Sequence, residues 1–152
     1  MRTAAHERPP QRRGWDIYPP EKRSEIMRKV RGKDTGLERA VRGIIHRLGF
    51  RFRLHVADLP GRPDVVLTRH RKVIFVNGCF WHQHRGCPRS KLPKTRAVWW
   101  KRKLERNVVR DRAARRRLVL MGWRALVVWE CKAGDPRAVE KRLRTFLARD
   151  AR

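Results

Sequence analysis

The sequence predicts an α/β domain in which helices flank a mixed β-sheet. Helical and strand-like stretches follow one another in the order helix, helix, three strands, helix, strand, helix. At 152 residues the chain is long enough for one domain with a hydrophobic core, and it shows no internal repeat. We therefore expect a basic N-terminal arm over residues 1–18, followed by a single domain over residues 19–150.

The sequence of the first third of the chain predicts a basic arm and two helices. Residues 1–18 are rich in arginine and proline and lack hydrophobic periodicity, which predicts a disordered basic arm. Residues 21–30 follow two prolines and carry apolar side chains at helical spacing. Thr35 and Glu38 have the spacing of a capping box, in which each side chain bonds to the other residue's backbone amide. They begin a second predicted helix, which ends near Leu48.

Three predicted strands occupy the middle of the chain. Residues 50–56 alternate apolar and basic side chains, which is typical of a strand with one solvated face. A turn over residues 59–63 precedes a second strand at residues 65–68, and residues 73–76 form a third. Because only a short turn separates the second and third strands, we expect them to pair antiparallel.

The sequence of the last part of the chain predicts a helix, a strand and a second helix. A long arginine-rich helix covers residues 96–121, a strand covers 123–129, and a final helix begins at Asp135 and Pro136. The long helix is expected to turn five apolar residues toward the core: Trp100, Leu104, Val108, Leu118 and Met121.

The charge predicts a polyanionic partner. Lysine and arginine number 41 against 14 aspartates and glutamates, and the net charge is +27. Nucleic acid is the default partner for such a surface. An anionic membrane is the weaker alternative, because the basic residues are not confined to one amphipathic helix. No apolar stretch approaches the roughly 20 residues that span a bilayer, and the N-terminus lacks an apolar signal-peptide core. We expect a cytoplasmic, nucleoid-associated monomer.

Metal-ligand residue types cluster after the third strand. Cys79, His84 and Cys87 lie in one loop, and Cys131 ends the fourth predicted strand. If the third and fourth strands are neighbours, these side chains form a Cys₃His set, which is typical of a structural zinc site. The alternative is three small buried hydrophobic residues and a surface histidine.

Three further residues are candidates for chemistry. Asp64 starts a strand, where a carboxylate can hold Mg²⁺ against a phosphate, although it is also a turn-capping residue type. His82 is a candidate proton acceptor, or a loop histidine or further metal ligand. Glu38 is a weaker candidate for an active-site residue, because the capping box already explains it without any chemistry.

Large aromatic residues flank the metal-ligand loop on a basic surface. Phe80 and Trp81 lie among the ligands, and Trp99 and Trp100 start the long helix. Such side chains can stack on bases or wedge between base steps. For Trp99, packing of the helix onto the sheet is an equally good interpretation.

Several motifs together resemble the very-short-patch mismatch repair endonucleases. They occur collinearly over residues 22–140 and read RSEIMRKVRGKDTGLE, LPGRPDVV, VIFVNGCFWHQH, KTRAVWW, N-x-x-RD and WRALVVWEC. The resemblance implies a restriction-endonuclease-like α/β core. It also implies an enzyme that nicks one DNA strand beside a T·G mismatch left by deamination of 5-methylcytosine, and an interaction with mismatch-repair proteins of the MutL type.

The resemblance also implies roles for individual residues. Asp64 would be the Mg²⁺ ligand, with the backbone carbonyl of Val76 as a second candidate, His82 the general base and Glu38 an active-site carboxylate. The zinc ligands would be Cys79, His84, Cys87 and Cys131. Phe80, Trp81 and Trp100 would wedge into the duplex, and Met27 would insert from the minor-groove side.

The sequence departs from the family pattern near the third strand. Asn77 stands where relatives commonly carry a histidine that assists at the phosphate. Two residues separate His84 from Cys87, where the best-known version has one. Phe75 and Asn77 also occupy the positions at which restriction-type nucleases carry an acidic residue and a lysine, and the resembling family lacks these two residues as well.

Two other functions stay open at this point. One is a DNA-binding protein stabilised by zinc and without catalysis, and the other is a nuclease with another target.

Overall fold

The computed structural model describes residues 34–54 and 56–148, together with Lys22 and Glu25. The described elements, in chain order, are α1 (Gly36–Arg47), β1 (Arg53–Leu54), β2 (Val65–Leu67), β3 (Lys72–Asn77), α2 (Ala97–Leu120), β4 (Arg124–Trp129) and α3 (Pro136–Ala148). The expected arm over residues 1–18 lies outside the described residues, as does most of the predicted helix over residues 21–30.

The four strands form one mixed sheet in the order β1-β2-β3-β4. The first three pair antiparallel, with Val65 opposite Ile74 between β2 and β3. β3 and β4 are parallel, with Val76 opposite Val128, and the chain returns between them through α2. A parallel pair requires such a crossover, because a short turn can only reverse the chain. The predicted mixed sheet and the antiparallel pairing of β2 with β3 are confirmed.

Helices cover both faces of the sheet. Alternation along β3 directs Ile74 into a core formed with α1 and α3, and Val73 into a second core formed with α2. Among the described helices, none is both long enough and apolar enough to cross a membrane.

The helix ends are secured by side chains. The predicted capping box of α1 is confirmed: the Thr35 hydroxyl accepts the Glu38 backbone N–H at 3.2 Å, and the Glu38 carboxylate reaches back to the Thr35 amide. Arg71, in the turn before β3, donates to the carbonyls of Met121 and Gly122 at the end of α2. Lys72 is fully buried, and its ammonium donates to the Leu147 carbonyl near the end of α3 at 2.7 Å. These cations compensate carbonyls that a helix end leaves without intrahelical partners.

Two boundaries differ from the sequence prediction. The first strand was predicted over residues 50–56, but of the described residues in this range, which exclude residue 55, only Arg53–Leu54 pair, at the sheet edge. Both paired residues are exposed, so little burial is available to extend the strand. Residues 68–70, partly assigned to the second strand, form a 3₁₀ turn.

One predicted core position of the long helix is wrong. Met121 is 43% exposed because α2 ends at Leu120, which turns residue 121 away from the sheet. The buried positions of α2 are Leu104, Ala114 and Leu118, while Trp100 and Val108 are half-buried.

Candidate active site and metal centre

A cleft of about 560 Å³ lies between the sheet and α2. Glu38, Asp64, His82 and Asp111 all contribute to its wall, although they come from four separate parts of the chain. Val76 also lines it, and arginines from α2 border it. The cleft therefore combines acceptors for a cation with guanidinium groups that attract phosphate.

Asp64 is placed in the cleft by the turn before β2. Gly61 and Arg62 both have positive φ, of 77° and 48°. A Cβ at Gly61 would lie 2.9 Å from the Ala114 Cβ, so only glycine lets this turn pack closely against α2. Asp64 is half-buried, and its Oδ2 accepts the Val76 backbone N–H at 2.6 Å. That bond joins the two candidate Mg²⁺ ligands across neighbouring strands.

His82 faces Asp111 across the cleft. The His82 Nδ1 and the Asp111 Oδ2 are 2.5 Å apart, and both side chains are about three-quarters buried, at 27% and 22% exposure. An imidazole that donates from Nδ1 to a carboxylate presents Nε2 as a proton acceptor. The geometry is therefore compatible with a proton acceptor at His82 whose ring is oriented by the Asp111 carboxylate. Sequence reasoning missed this partner, although the N-x-x-RD motif ends on Asp111.

Glu38 serves the helix start and also borders the cleft. Its carboxylate accepts the Asp34 backbone N–H at 2.9 Å and the Thr35 hydroxyl at 3.0 Å, and the residue is only 4% exposed. The Glu38 side chain therefore caps the start of α1 and borders the cleft at the same time.

A second group of side chains forms a candidate metal centre next to the cleft. One ligand atom from each of Cys79, His84, Cys87 and Cys131 lies within 4.8 Å of all the others. The His84 Nδ1 is 3.6 Å from the Cys79 Sγ and 3.4 Å from the Cys131 Sγ. Tetrahedral zinc with ordinary bond lengths separates such S and N ligands by about 3.6 Å. The four side chains fit a closed metal site, and His82 is not among them.

The residues around this centre hold its ligands in place. The ring of His84 stacks on Trp129, with 4.1 Å between centroids and 7° between planes. Glu130 Oε2 accepts the backbone N–H of Cys79 at 3.2 Å. The Gln83 amide donates to the carbonyls of Phe80 and Ser90, at 2.8 and 3.2 Å, and so ties the loop together. Such outer contacts fix ligand orientation in metal sites.

The thiols differ in their readiness to ionise. Burial raises the pKa of Cys79 to about 12, whereas a hydrogen bond from the Arg89 backbone lowers the pKa of Cys87. In the metal-free protein Cys79 therefore keeps its proton at neutral pH. A thiol of this kind ionises when a cation takes the place of the proton.

Large aromatic side chains form a partly exposed cluster between the metal loop and the start of α2. The ring centroid of Phe80 is 5.1 Å from that of Trp81 and 5.3 Å from that of Trp100, and the two indoles are 6.0 Å apart. Trp99 is 43% exposed and meets Trp100 edge-on, so packing onto the sheet does not account for it. We call these four residues the aromatic cluster.

Two polar residues of α2 support the aromatic cluster. The Lys103 ammonium lies between 4.8 and 5.6 Å from three of its indole ring centroids. The Asn107 amide donates to the Trp81 carbonyl at 3.1 Å. Met27, the remaining predicted DNA contact, lies outside the described residues.

A basic α/β domain that combines this cleft with a Cys₃His centre and partly exposed aromatic residues has features expected of a DNA endonuclease. A sequence profile described as DNA mismatch endonuclease Vsr matches residues 15–89. The chain is 48% identical over 132 residues to the type II nicking enzyme V.XorIIP of Xanthomonas oryzae pv. oryzae, covering 87% of this chain and 96% of that relative. It is 44% identical over 116 residues to the DNA mismatch endonuclease Vsr of Escherichia coli K12, covering 76% of this chain and 74% of the relative.

A third relative, the type II nicking enzyme V.NmeAIP of Neisseria meningitidis, is 35% identical over 128 residues, covering 84% of this chain and 91% of the relative. The chain belongs to the Vsr family of DNA mismatch endonucleases. The predicted family and restriction-endonuclease-like fold are thereby confirmed, and DNA is the substrate. Membership of an endonuclease family decides against the alternative of a DNA-binding protein without catalysis.

Proposed function

We propose that this endonuclease nicks one strand of duplex DNA beside a T·G mismatch, with Mg²⁺ held by Asp64 and water activated by His82. The observation that carries the proposal is the His82–Asp111 pair, which shares the cleft with Asp64. The chemistry is hydrolysis of one phosphodiester bond. Two of the three relatives above are named as nicking enzymes and one as a DNA mismatch endonuclease, which is consistent with cleavage of a single strand.

Asp64 and its neighbours supply the oxygen ligands that Mg²⁺ prefers. The Asp64 carboxylate would hold the ion, and the Val76 backbone carbonyl is a second candidate ligand because Val76 is hydrogen-bonded to Asp64. Glu38 adds a further carboxylate at the same wall. When bound, Mg²⁺ offsets the charge that develops on the phosphate during attack.

His82 would take the proton of the attacking water at Nε2. Asp111 holds the ring in the orientation that leaves Nε2 available, and its charge stabilises the imidazolium that forms. The proton goes to His82 while the water oxygen forms its bond to phosphorus, and the bond to the leaving oxygen breaks.

Recognition of the mismatch is assigned to three residues of the aromatic cluster and to Met27. Phe80, Trp81 and Trp100 would wedge beside the mismatch, and Met27 would insert from the minor-groove side. Opening a base step costs a few kcal/mol, and least at a mispaired step, which is a physical source of selectivity. The arginines of α2 and the N-terminal arm would bind phosphates without sequence preference.

The Cys₃His centre is proposed to bind one structural Zn²⁺. Its ligands come from the loop after β3 and from the turn after β4, so the ion would fix the loop that carries Phe80, Trp81 and His82. We further propose a monomer with a single domain over residues 19–150. It would act on nucleoid DNA in the cytoplasm in concert with mismatch-repair proteins of the MutL type.

Two alanine variants test the chemistry. Asp64→Ala and His82→Ala should each lose on the order of a hundredfold or more in single-turnover nicking rate, yet still bind a T·G duplex. Exposed residues of the same type provide matched controls: Asp58→Ala in the preceding turn and His46→Ala on α1. Zinc content is measured beside the rate. A folded, zinc-replete His82→Ala protein that nicks at the wild-type rate would remove His82 as the base.

Two further variants test recognition. Phe80→Ala and Trp81→Ala should reduce the ratio of nicking on T·G to nicking on paired duplex, while non-specific binding persists through the arginines. The competing function, a nuclease with another target, predicts no preference for T·G in the wild type. Unchanged discrimination in both variants would exclude the wedge.

A further inference from the structure

A second group of cations lies on the side of the sheet opposite the cleft. A groove of about 420 Å³ is lined there by α3 and by Arg124, the first residue of β4. Ala125 packs on the α2 side of the sheet and Leu126 on the side of α1 and α3, so alternation directs Arg124 toward α3. Its guanidinium lies 5.8 Å from the centroid of the Phe146 ring of α3. The groove therefore opens behind the sheet, away from the cleft.

This groove is also distant from the metal centre along β4. Arg124 begins the strand, and Trp129, which stacks on His84, ends it. The five steps from residue 124 to residue 129, at about 3.3 Å each, separate the two ends by about 17 Å. Cations in the groove are therefore well separated from a phosphate held at the cleft.

The surface around the groove is cationic and little compensated. α3 carries Arg137, Lys141, Arg142 and Arg144 against a single glutamate, Glu140. The Glu140 carboxylate is engaged with Arg144 at 2.9 Å. The other three cations are exposed and form no ion pair with any residue that the structure describes. Such a surface attracts an anion from outside the chain.

The make-up of this surface favours the DNA backbone over an acidic protein. None of the large apolar residues exposed in the described part of the chain belongs to α3, and Phe146 in the groove is half-buried. A protein interface has an apolar or aromatic centre, whereas phosphates are bound by cationic side chains. The outer face of α2 differs, since Val119 and Leu120 are 64% and 86% exposed there among arginines. Because DNA is the substrate of the family, further duplex always surrounds the bound enzyme.

We propose that this surface binds the backbone of a second DNA segment while the cleft holds the first, so that one enzyme molecule joins two duplexes. We call Arg124, Arg137, Lys141 and Arg142 the α3 basic face. Binding there is independent of base sequence, weakens as salt rises, and lets the enzyme pass between neighbouring segments during its search. The inference goes beyond the proposed T·G cleavage and requires only that the protein binds DNA.

A bridging assay tests the α3 basic face without cleavage. A T·G duplex is fixed on beads at low density, enzyme is bound in EDTA, the excess is washed away, and a labelled, fully paired duplex is added. The double variant Lys141→Gln with Arg142→Gln removes two charges. Its matched control, Lys141→Arg with Arg142→Lys, keeps both charges at the same positions.

The wild type and the charge-keeping control should both retain the labelled duplex at about 50 mM salt, and the glutamine variant should retain at least about tenfold less. The slope of log affinity for the labelled duplex against log salt should fall by about 1.8, because each phosphate contact contributes about 0.9. The Tm of the glutamine variant, its affinity for the immobilised duplex and its nicking rate with Mg²⁺ should match the wild type, since both changed side chains are exposed and lie away from the cleft.

Several results would overturn the inference. A wild type that retains no second duplex, or a glutamine variant that retains as much as the wild type, removes the α3 basic face as a DNA-binding surface. A glutamine variant that also loses affinity for the immobilised duplex shows one continuous substrate surface. Retention that needs more than one enzyme molecule per immobilised duplex indicates paired copies, and retention of labelled polyglutamate as well as of duplex indicates a surface for acidic protein. Equal binding of T·G and paired duplexes on the beads contradicts the proposed mismatch target alone, because bridging does not depend on the mismatch.

Discussion

Replacement of Asp111 by asparagine probes the orientation of the proposed base. The Asp111 carboxylate lies 2.5 Å from the His82 Nδ1, and both side chains are largely shielded from solvent. Asparagine keeps the shape but removes the negative charge that holds the Nδ1–H and stabilises the imidazolium. The change should slow the proton transfer and leave DNA binding intact.

The size of the effect follows from the bond that is lost. A hydrogen bond to a charged group contributes about 1.5 to 3 kcal/mol. If the whole contribution is made in the transition state, each 1.36 kcal/mol corresponds to a tenfold change in rate, so the loss is about 13- to 160-fold. Because Asp111 acts through His82, its effect should vanish once the imidazole is gone. The double variant with His82→Ala should therefore nick no more slowly than His82→Ala alone.

Single-turnover nicking of a T·G duplex, with enzyme in excess, measures all four members of this cycle. Glu105→Gln removes an exposed carboxylate from the same helix and serves as the control. A rate for Asp111→Asn within twofold of wild type would refute the reasoning. Effects of the two single changes that multiply in the double variant would show that Asp111 acts independently of His82.

Three other predictions concern the metal centre and the turn before β2. Cys131→Ser should hold less than the one zinc per chain expected of the wild type and should unfold at lower temperature, as elemental analysis and a melting curve would show; full zinc content would argue against the ligand set. Zinc affinity should rise from pH 6 to pH 8, because burial raises the pKa of Cys79 to about 12 and binding must release its proton. Competition with a chelator measures this slope, and a flat or inverted dependence would contradict it. Gly61→Ala should lower the free energy of unfolding in denaturant by about 1 to 3 kcal/mol, since it adds a contact at 2.9 Å with the Ala114 Cβ to the conformational cost of φ 77°. Gly49 has a similar φ of 83°, but a Cβ there would meet nothing within 4 Å, so Gly49→Ala should lower the free energy of unfolding less. Equal decreases for the two variants would contradict the close packing of the turn against α2.

Local patterns account for the parts of the fold that the sequence predicted well. The capping box at Thr35 and Glu38 depends on residues three positions apart, and the structure contains both of its bonds. β3 is an apolar run between turn residues, and it lies between two other strands in the sheet. The edge strand was harder to predict, because alternation over residues 50–56 does not reveal which of the described residues in this range have a pairing partner.

Long-range pairings account for what the sequence did not predict. Asp111 lies 29 residues after His82, in a helix with many charged side chains, so nothing local in the sequence marks it as the partner of His82. Only the crossover of α2 over the sheet brings the two together. Cys131 lies 47 residues after His84, and it was predicted as a ligand on the condition that β3 and β4 are neighbours, which the structure shows them to be. For Cys131 one assumption about neighbouring strands was enough to suggest the contact, whereas for Asp111 the sequence offered no such assumption.

The most direct measurement of the central claim compares nicking of duplexes that differ in one base pair. The substrates carry T·G or C·G at the same position, each strand bears its own label, and the reaction contains Mg²⁺ or EDTA. The account predicts a single nick in the thymine strand of the T·G duplex with Mg²⁺, no comparable nick in the paired duplex, and no nick in EDTA. Equal nicking of both duplexes, cleavage of both strands, or full activity in EDTA would contradict it.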